Sequence, residues 1–562
     1  MEKIKKVLLG NEAVVKGSLA AGVDYVSGYP GCPSAEIGDE FGRIAEKNGV
    51  YAEWATNEKV GLESAIGASF SGLKSLVNMK SFGINVCSDS LFPLAYTGTK
   101  APMVIFVGDD PSCHSSAQSE QDSRGYAYLS HIPILDPASP QECYDFTKLG
   151  YKISEKFNVP VILRSTTRVA HQRAPVIFDA RDKNETKKGN FIKNPHQFCT
   201  MPPRVLEMKK ELLEKVKKIQ AYAEKSKINK ITGKSTGKIG IIATGISYYY
   251  VMEALQEMGL NLPVLKLGFF YPLPEKLINK FLKGKKKILV AEEMDAYLEK
   301  EIASIAKNTN YNVQIHGKDL LSETGELDTA KLVLALSKIM GKRPVSVSKK
   351  QTLNFPIEKI PKRYPRLCDG CPYWNIFPTI KKAIGPDLEN TIFGGDIGCN
   401  MIAGLPPHNI QDYLFSMGAS MGISHGVSKS TNQKVVSIIG DGTFFHAGIP
   451  GMVNAVYNKS NPLIIVLDNR ITAMTGHQQN PGMGKTLMGG DVEMVKIEEV
   501  AKACGVKHIK VLDPQNMKEF EDAIKEFLQK DEVSVIVCRL VCALLKRRLK
   551  NNSNLRKFYG NL

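Results

Sequence analysis

Apolar residues along the chain fall into short continuous runs separated by amphipathic stretches, and the runs recur in three blocks. In the first block, residues 23–28 read as a strand, 29–34 as a turn, and 35–47 as a helix capped by Ser34. Residues 103–108 and 160–163 are unbroken apolar runs, the pattern of parallel strands covered on both faces. Residues 181–237 are Lys-rich and predict a linker with one exposed helix over about 204–225. The second block has strands at 239–245, 264–267 and 287–293, with a helix after the first. A Pro/Lys-rich connector covers 343–365, and the third block has strands at 435–439, 463–467 and 533–538. Strands alternating with helices predict right-handed βαβ units, hence an α/β, multi-domain chain of parallel sheets flanked by helices. The expected domains are 1–180, 238–342 and 366–545, with a basic tail at 546–562.

The chain has 562 residues, too many for one core. No run of about 18 apolar residues predicts a membrane span, and no signal-peptide h-region follows the charged N-terminus, so a cytoplasmic protein without membrane attachment is expected. The net charge of +17 is spread over connecting stretches without aromatic-plus-basic or zinc-finger patterning, which argues against nucleic acid and for an acidic protein partner. Eleven scattered cysteines, an odd number, argue against a disulfide framework.

The stretch 434–442 reads as a buried strand ending in the turn Gly440-Asp441-Gly442. Twenty-five residues intervene before Asp468, enough for a helix over about 448–457 and a return strand, so Asp468-Asn469 reaches the same sheet edge as Asp441. Asp441, Asn469 and the carbonyl of Ile471 then suit Mg²⁺, with diphosphate oxygens and water completing the shell. Gly440 and Gly442 let backbone approach phosphates. Gly418 and Gly422, in a Gly-spaced helix over 417–426, allow close packing on the sheet or the ligand. This combination is that of a thiamine-diphosphate anchor. Such a cofactor also needs a carboxylate at N1′ of its aminopyrimidine, to favour the imino tautomer. Glu58 and Glu63 each stand nine residues before a glycine, Gly67 and Gly72. Glu58 is preferred because it opens a helix after a strand; the plainer readings are a helix-dipole partner for Glu58 and a partly exposed helix residue for Glu63.

Several motifs together resemble the large (alpha) subunit of indolepyruvate:ferredoxin oxidoreductases, over about 8–545. They are GNEA (10–13), YPGCPSAEI (29–37), EWATNEKV (53–60), MKSFGINV (79–86), DDPSCHSSAQSEQDSR (109–124), LRSTTR (163–168), CDGCP (368–372), GDIGC (395–399), FFHAGIPG (444–451) and DNRITAMTGHQ (468–478). The resemblance implies a pyrimidine-type thiamine domain, a transketolase-C-like domain and a diphosphate-type domain. It implies oxidative decarboxylation of an aryl-2-oxoacid such as indolepyruvate, with CoA taking the acyl group and ferredoxin the electrons. A smaller beta subunit and a dimer of heterodimers follow. Cys368, Cys371 and Cys399 resemble ligands of a 4Fe–4S cluster, with Cys542 as a fourth. His114 and His446 are candidates for proton handling, and Cys32, Ser34 and Arg124 for substrate contact; Arg124 and Arg168 suit salt bridges equally well.

Three departures stand out. Members of the family usually continue into a ferredoxin-like module with two CxxCxxCxxxCP runs; this chain has none, which implies that the distal relay is absent or on another polypeptide. Cys32 stands where Thr is usual, and Tyr373 where His is common. These leave a non-oxidative thiamine-dependent decarboxylase or carboligase, and a silent partner subunit, as alternatives.

Overall fold

The computed structural model describes residues 3–180, 185–233, 237–310, 312–342 and 364–551. Two compact units divide the chain, Met1–Phe355 and Pro356–Leu562. The expected connector at 343–365 and the tail at 546–562 lie largely outside the described residues.

The first unit is built on two mixed sheets. The larger runs in the order Phe269–Tyr271, Ile134–Leu135, Val161–Thr166, Met103–Asp109, Ser75–Lys80, Tyr25–Gly28, Tyr51–Ala52. All pairings in it are parallel except that of Phe269–Tyr271. Its three central strands are buried along their whole length, as their apolar runs require. The smaller sheet runs Gln314–His316, Lys287–Ala291, Ile239–Thr244, Val264–Leu267, Lys230–Thr232, with only the last antiparallel. A separate antiparallel pair joins Lys3–Leu9 to Arg173–Asp179.

Residues 238–342 have their own sheet, yet they share a strand and a core with what precedes them. After Val264–Leu267 the chain crosses Gly268 and enters the larger sheet as Phe269–Tyr271. Leu62, Ile105 and Ile134 belong to the same apolar cluster as Leu267, Phe270 and Ile288. The helix Arg204–Ala223 is not simply exposed, as its Lys-rich surroundings predict. It buries Met208, Leu212, Ile219 and Ala223 as a stripe, and Leu212 enters the shared cluster. The helix Ala35–Ile44 also departs from expectation: the Ser34 hydroxyl donates to the Gly31 carbonyl at 2.8 Å instead of capping it.

Buried charges tie the two sheets together. Arg124 donates to Asp122 at 2.6 and 2.9 Å, to Glu292 at 3.0 Å and to the Glu293 carbonyl at 2.5 Å. Arg164 pairs with Asp109 at 2.8 Å and with Asp136 at 3.3 Å, and Asp136 accepts from Thr244 at 3.0 Å. Removing one member of such a network strands its partners without water.

In the second unit five parallel strands run in the order Ile392–Gly394, Val435–Gly440, Leu463–Asp468, Ser534–Arg539, His508–Leu512. Alternation along Val435–Gly440 sends Val436 and Ile438 into one core with Phe377 and Phe520, and Ile439 into another with Met421 and Met452. Among the described residues, no helix is long and apolar enough to cross a membrane.

Burial pushes the Glu293 carboxyl up to about 7. An acid with a raised folded pKa contributes stability below its unfolded value, and that contribution is lost as pH rises towards 7. The first unit should therefore lose stability between about pH 4.5 and pH 7. Glu293→Gln should flatten this slope and raise stability at pH 8 by on the order of 1–3 kcal/mol, read as a higher melting temperature in thermal melts across pH.

Candidate functional site

Glu58 is the first residue of the helix Glu58–Phe70, whose N-cap Asn57 accepts from the Val60 amide at 2.9 Å. Its side chain is buried against Gly83, where an added Cβ would lie 2.6 Å from Glu58 Cγ and 2.9 Å from Oε1. Any larger residue at position 83 would displace this carboxylate. Glu63 is different: it is solvent-facing, ion-paired with Lys59, and accepts from Ser90 at 2.6 Å. The two glutamates that sequence spacing leaves equal are thus separated by burial.

Around the turn at 29–34, Cys32 is half-buried beside Lys80, and burial followed by the charge of Glu36 pushes its thiol up. Lys80 is a buried cation that donates to the Ser115 carbonyl at 2.8 Å and stands 3.9 Å from Asp110. The sequence reading missed Lys80; its place as the last residue of the buried strand Ser75–Lys80 was the available signal. Ser34 is fully buried with its hydroxyl spent on Gly31. Arg124 corrects its expected role: it is wholly enclosed by acceptors and presents nothing to a substrate. His114 is half-exposed in a cleft of about 570 Å³ with Arg168 and His171. Both His114 and Arg168 lean on Glu326, at 3.3 and 2.6 Å, the salt bridge that was the plainer reading for Arg168.

In the second unit the strands Val435–Gly440 and Leu463–Asp468 pair in parallel, so Asp441 and Asn469 emerge at one sheet edge. The Ile471 amide donates to Asn469 Oδ1 at 3.1 Å, and its nearness also helps hold the Asp441 carboxyl down. Asn480, which the sequence reading did not single out, donates to Asp441 Oδ2 at 3.0 Å. Burial, then the charge of Asp468, pushes Asp441 up to about 7. Asp468 itself is matched by Arg539 at 2.7 Å and Arg470 at 3.6 Å. Among the described residues, Asp441 has only neutral donors. A carboxyl so placed beside an amide oxygen fits a divalent cation, which would supply the missing positive charge.

The glycines divide by what they do. At Gly442 a Cβ would lie 2.8 Å from Thr472 Oγ1, whereas at Gly440 it would meet only Asn400 Oδ1, at 3.5 Å. Gly418 has φ of +82°, and a Cβ there would strike the Ala447 backbone at 2.5 Å. Its amide and that of Ser420 donate to buried Asp396, which starts the helix Ala419–Ser430 and is pushed up to about 6 by burial. Gly422 faces open space; the tight helix approach is made by Gly451 instead, where a Cβ would lie 2.8 Å from Met421 Cβ. His446 is buried in a π-helical turn, Phe444–Gly448.

Cys368, Cys371, Cys399 and Cys542 line one cavity of about 250 Å³, with Leu367, Ile402 and Met474 among its apolar walls. Burial and the neighbouring cysteines push Cys371 up to about 11 and Cys399 up to about 12. Such thiols ionise only beside positive charge. Among the described residues, no three His, Cys, Asp or Glu side chains stand close enough to share a single metal ion. Tyr373 and Asn469 also line this cavity, and Asn469 Nδ2 donates to the Tyr373 hydroxyl at 3.1 Å. The cysteine cavity and the Asp441 edge are therefore one hydrogen bond apart. His477, in the same wall, stands 3.6 Å from Cys542 Sγ.

The comparisons with known proteins follow the same division. Residues 16–231 match the family described as pyruvate flavodoxin/ferredoxin oxidoreductase, thiamine diphosphate-binding. Residues 229–354 match the indolepyruvate oxidoreductase domain, and 396–538 the C-terminal TPP-binding domain of thiamine pyrophosphate enzymes. The chain is 42% identical over 543 residues to "Indolepyruvate oxidoreductase subunit IorA" of Methanothermobacter marburgensis, covering 96% of this chain and 87% of that protein. It is 40% identical over 563 residues to the protein of that name in Pyrococcus horikoshii (96% and 86% covered). For the one in Archaeoglobus fulgidus the identity is 37% over 557 residues (97% and 88% covered). With three matched segments in chain order and this coverage, the chain belongs to the IorA family of indolepyruvate oxidoreductase subunits, thiamine-diphosphate-binding oxidoreductases of α/β fold.

Proposed function

We propose that the chain is the catalytic large subunit of an enzyme that oxidatively decarboxylates aryl-2-oxoacids of the indolepyruvate type, forming aryl-acetyl-CoA and reducing ferredoxin. The observation that carries this reading is the adjacency, inside one unit, of Asp441 and Asn469 at one sheet edge and four cysteines lining one cavity. A non-oxidative thiamine enzyme has no use for the second group.

Asp441, Asn469 and the Ile471 carbonyl would hold Mg²⁺ and through it the diphosphate, with Gly440 and Gly442 admitting the phosphates. Glu58, packed against Gly83 where any side chain would displace it, would accept a hydrogen bond from N1′ of the aminopyrimidine and hold the proton there. Bound thiamine diphosphate supplies an electron sink for loss of CO₂ from a 2-oxoacid. Cys368, Cys371, Cys399 and Cys542 would hold one 4Fe–4S cluster, which takes electrons singly. A cluster spaces its thiolates more widely than the roughly 4 Å of a single tetrahedral ion, consistent with four cysteines around a cavity of about 250 Å³. Tyr373 fixes Asn469 from the cavity side and separates the two groups. Cys32 and Lys80 would meet the substrate carboxylate; His446 would handle protons beside the diphosphate half. A smaller beta subunit completes the enzyme, as a dimer of heterodimers in the cytoplasm.

The test is anaerobic. The co-expressed large and small subunits, given thiamine diphosphate, Mg²⁺, CoA and indolepyruvate, should reduce a low-potential dye only when CoA is present. Release of CO₂ without dye reduction would establish a non-oxidative enzyme instead. Chemical analysis should find about four iron and four acid-labile sulfide per large chain beyond those of the small subunit. Glu58→Gln should lower turnover about 10²–10⁴-fold while thiamine diphosphate still binds, read by steady-state rates against calorimetric affinity. Asp441→Asn should abolish Mg²⁺-dependent thiamine diphosphate binding in the same calorimetry, with a melting temperature at pH 8 no lower than that of the unmutated protein.

A further inference from the structure

Cys542 and Arg548 flank His477. Cys542 immediately precedes the helix Ala543–Asn551, and Arg548 lies on that helix. His477 comes from a different segment, a short turn closed by the reciprocal backbone bonds between Thr472 and Gln478 at 3.0 and 3.1 Å. Its backbone has φ of +72°, in the left-handed region, and its ring is nearly buried. A non-glycine residue there costs conformational energy that its surroundings must repay.

The contacts assign the ring's tautomer. Arg548 Nη1 stands 3.0 Å from His477 Nδ1. A guanidinium has donors and no acceptor, so Nδ1 must be the accepting nitrogen. The ring proton is therefore on Nε2, and Nε2 lies 3.6 Å from Cys542 Sγ. The positive charge behind Nδ1 also polarises the ring and strengthens Nε2–H as a donor.

We infer that His477 donates an Nε2–H···S hydrogen bond to Cys542, oriented by Arg548, and thereby raises the reduction potential of the iron–sulfur group that the four thiolates would hold. The inference rests on the four-thiolate reading above. A donor to a ligand sulfur stabilises the more negative, reduced state of such a group, and hydrogen bonds to sulfur are among the protein's levers on its potential. His477 is a positioning and tuning residue: it acts through Cys542 and touches no substrate.

The experiment is an EPR-monitored potentiometric titration of the anaerobically purified two-subunit enzyme. Dithionite is the reductant, and the signal of this chain is identified by its loss in Cys371→Ser. Iron and sulfide are measured on every sample. His477→Leu should lower the reduced-to-oxidised ratio at fixed potential about tenfold, ~59 mV for a one-electron couple. His477→Gln, which keeps an N–H donor, should stay near the unmutated value. Arg548→Met, which leaves the ring but frees its tautomer, should shift in the same direction by less. With ¹⁵N-histidine labelling, a nitrogen coupling to the reduced group should be present in the unmutated enzyme and absent in His477→Leu. An unchanged potential in His477→Leu with full iron and sulfide overturns the inference and leaves the four-thiolate reading standing. If His477→Leu loses the iron, an unchanged potential in Arg548→Met overturns it. Unmutated enzyme without iron and sulfide in this chain overturns both.

Discussion

Acidic groups buried at the carboxyl edges of parallel sheets are the constraint on which both units turn. Parallel strands end with side chains at one edge, and here those side chains include Asp109 in the first unit and Asp441 and Asp468 in the second. Each must be matched by positive charge or by hydrogen-bond donors, or keep a proton. In the first unit Arg164 and Arg124 enter the acidic cluster and join two sheets through it. In the second, Arg539 and Arg470 match Asp468, while among the described residues Asp441 meets only Asn480 and backbone amides. The two aspartates of the second unit differ by which compensation the fold itself brings.

Glu293 shows that a raised carboxyl alone does not mark a site. It is held near the same value as Asp441, yet it is enclosed by its own network and accepts from the Leu327 amide. Asp441 is distinguished by Asn469 at the same sheet edge and by the glycines around it. The same logic separates Glu58, set against Gly83, from Glu63, which is solvated and paired.

Tyr373 gives the second unit its economy. One phenol lies in the wall of the thiol cavity and accepts from the carboxamide of Asn469. The residue that departs from the common histidine thus sits at the join between two chemistries. A phenol holds Asn469 through its oxygen without adding a second titrating imidazole near the thiols.

The apolar runs, the βαβ alternation and the strand-to-strand spacing from Asp441 to Asn469 are local or short-range signals, so the sequence by itself determined the α/β class, the sheet edge and the family. Burial and long-range partners are not local. Whether Arg124 meets a substrate or Glu292, 168 residues away, depends on how two sheets pack, and the structure encloses it completely. The buried stripe of Arg204–Ala223 was hidden by its lysines for the same reason. Asn480, Lys80 and the His477–Arg548 contact carry no spacing rule at all. They exist because tertiary packing brings a turn to a carboxylate, a strand end to a thiol and a helix to an imidazole, and only the folded chain decides which of its polar groups end up facing one another.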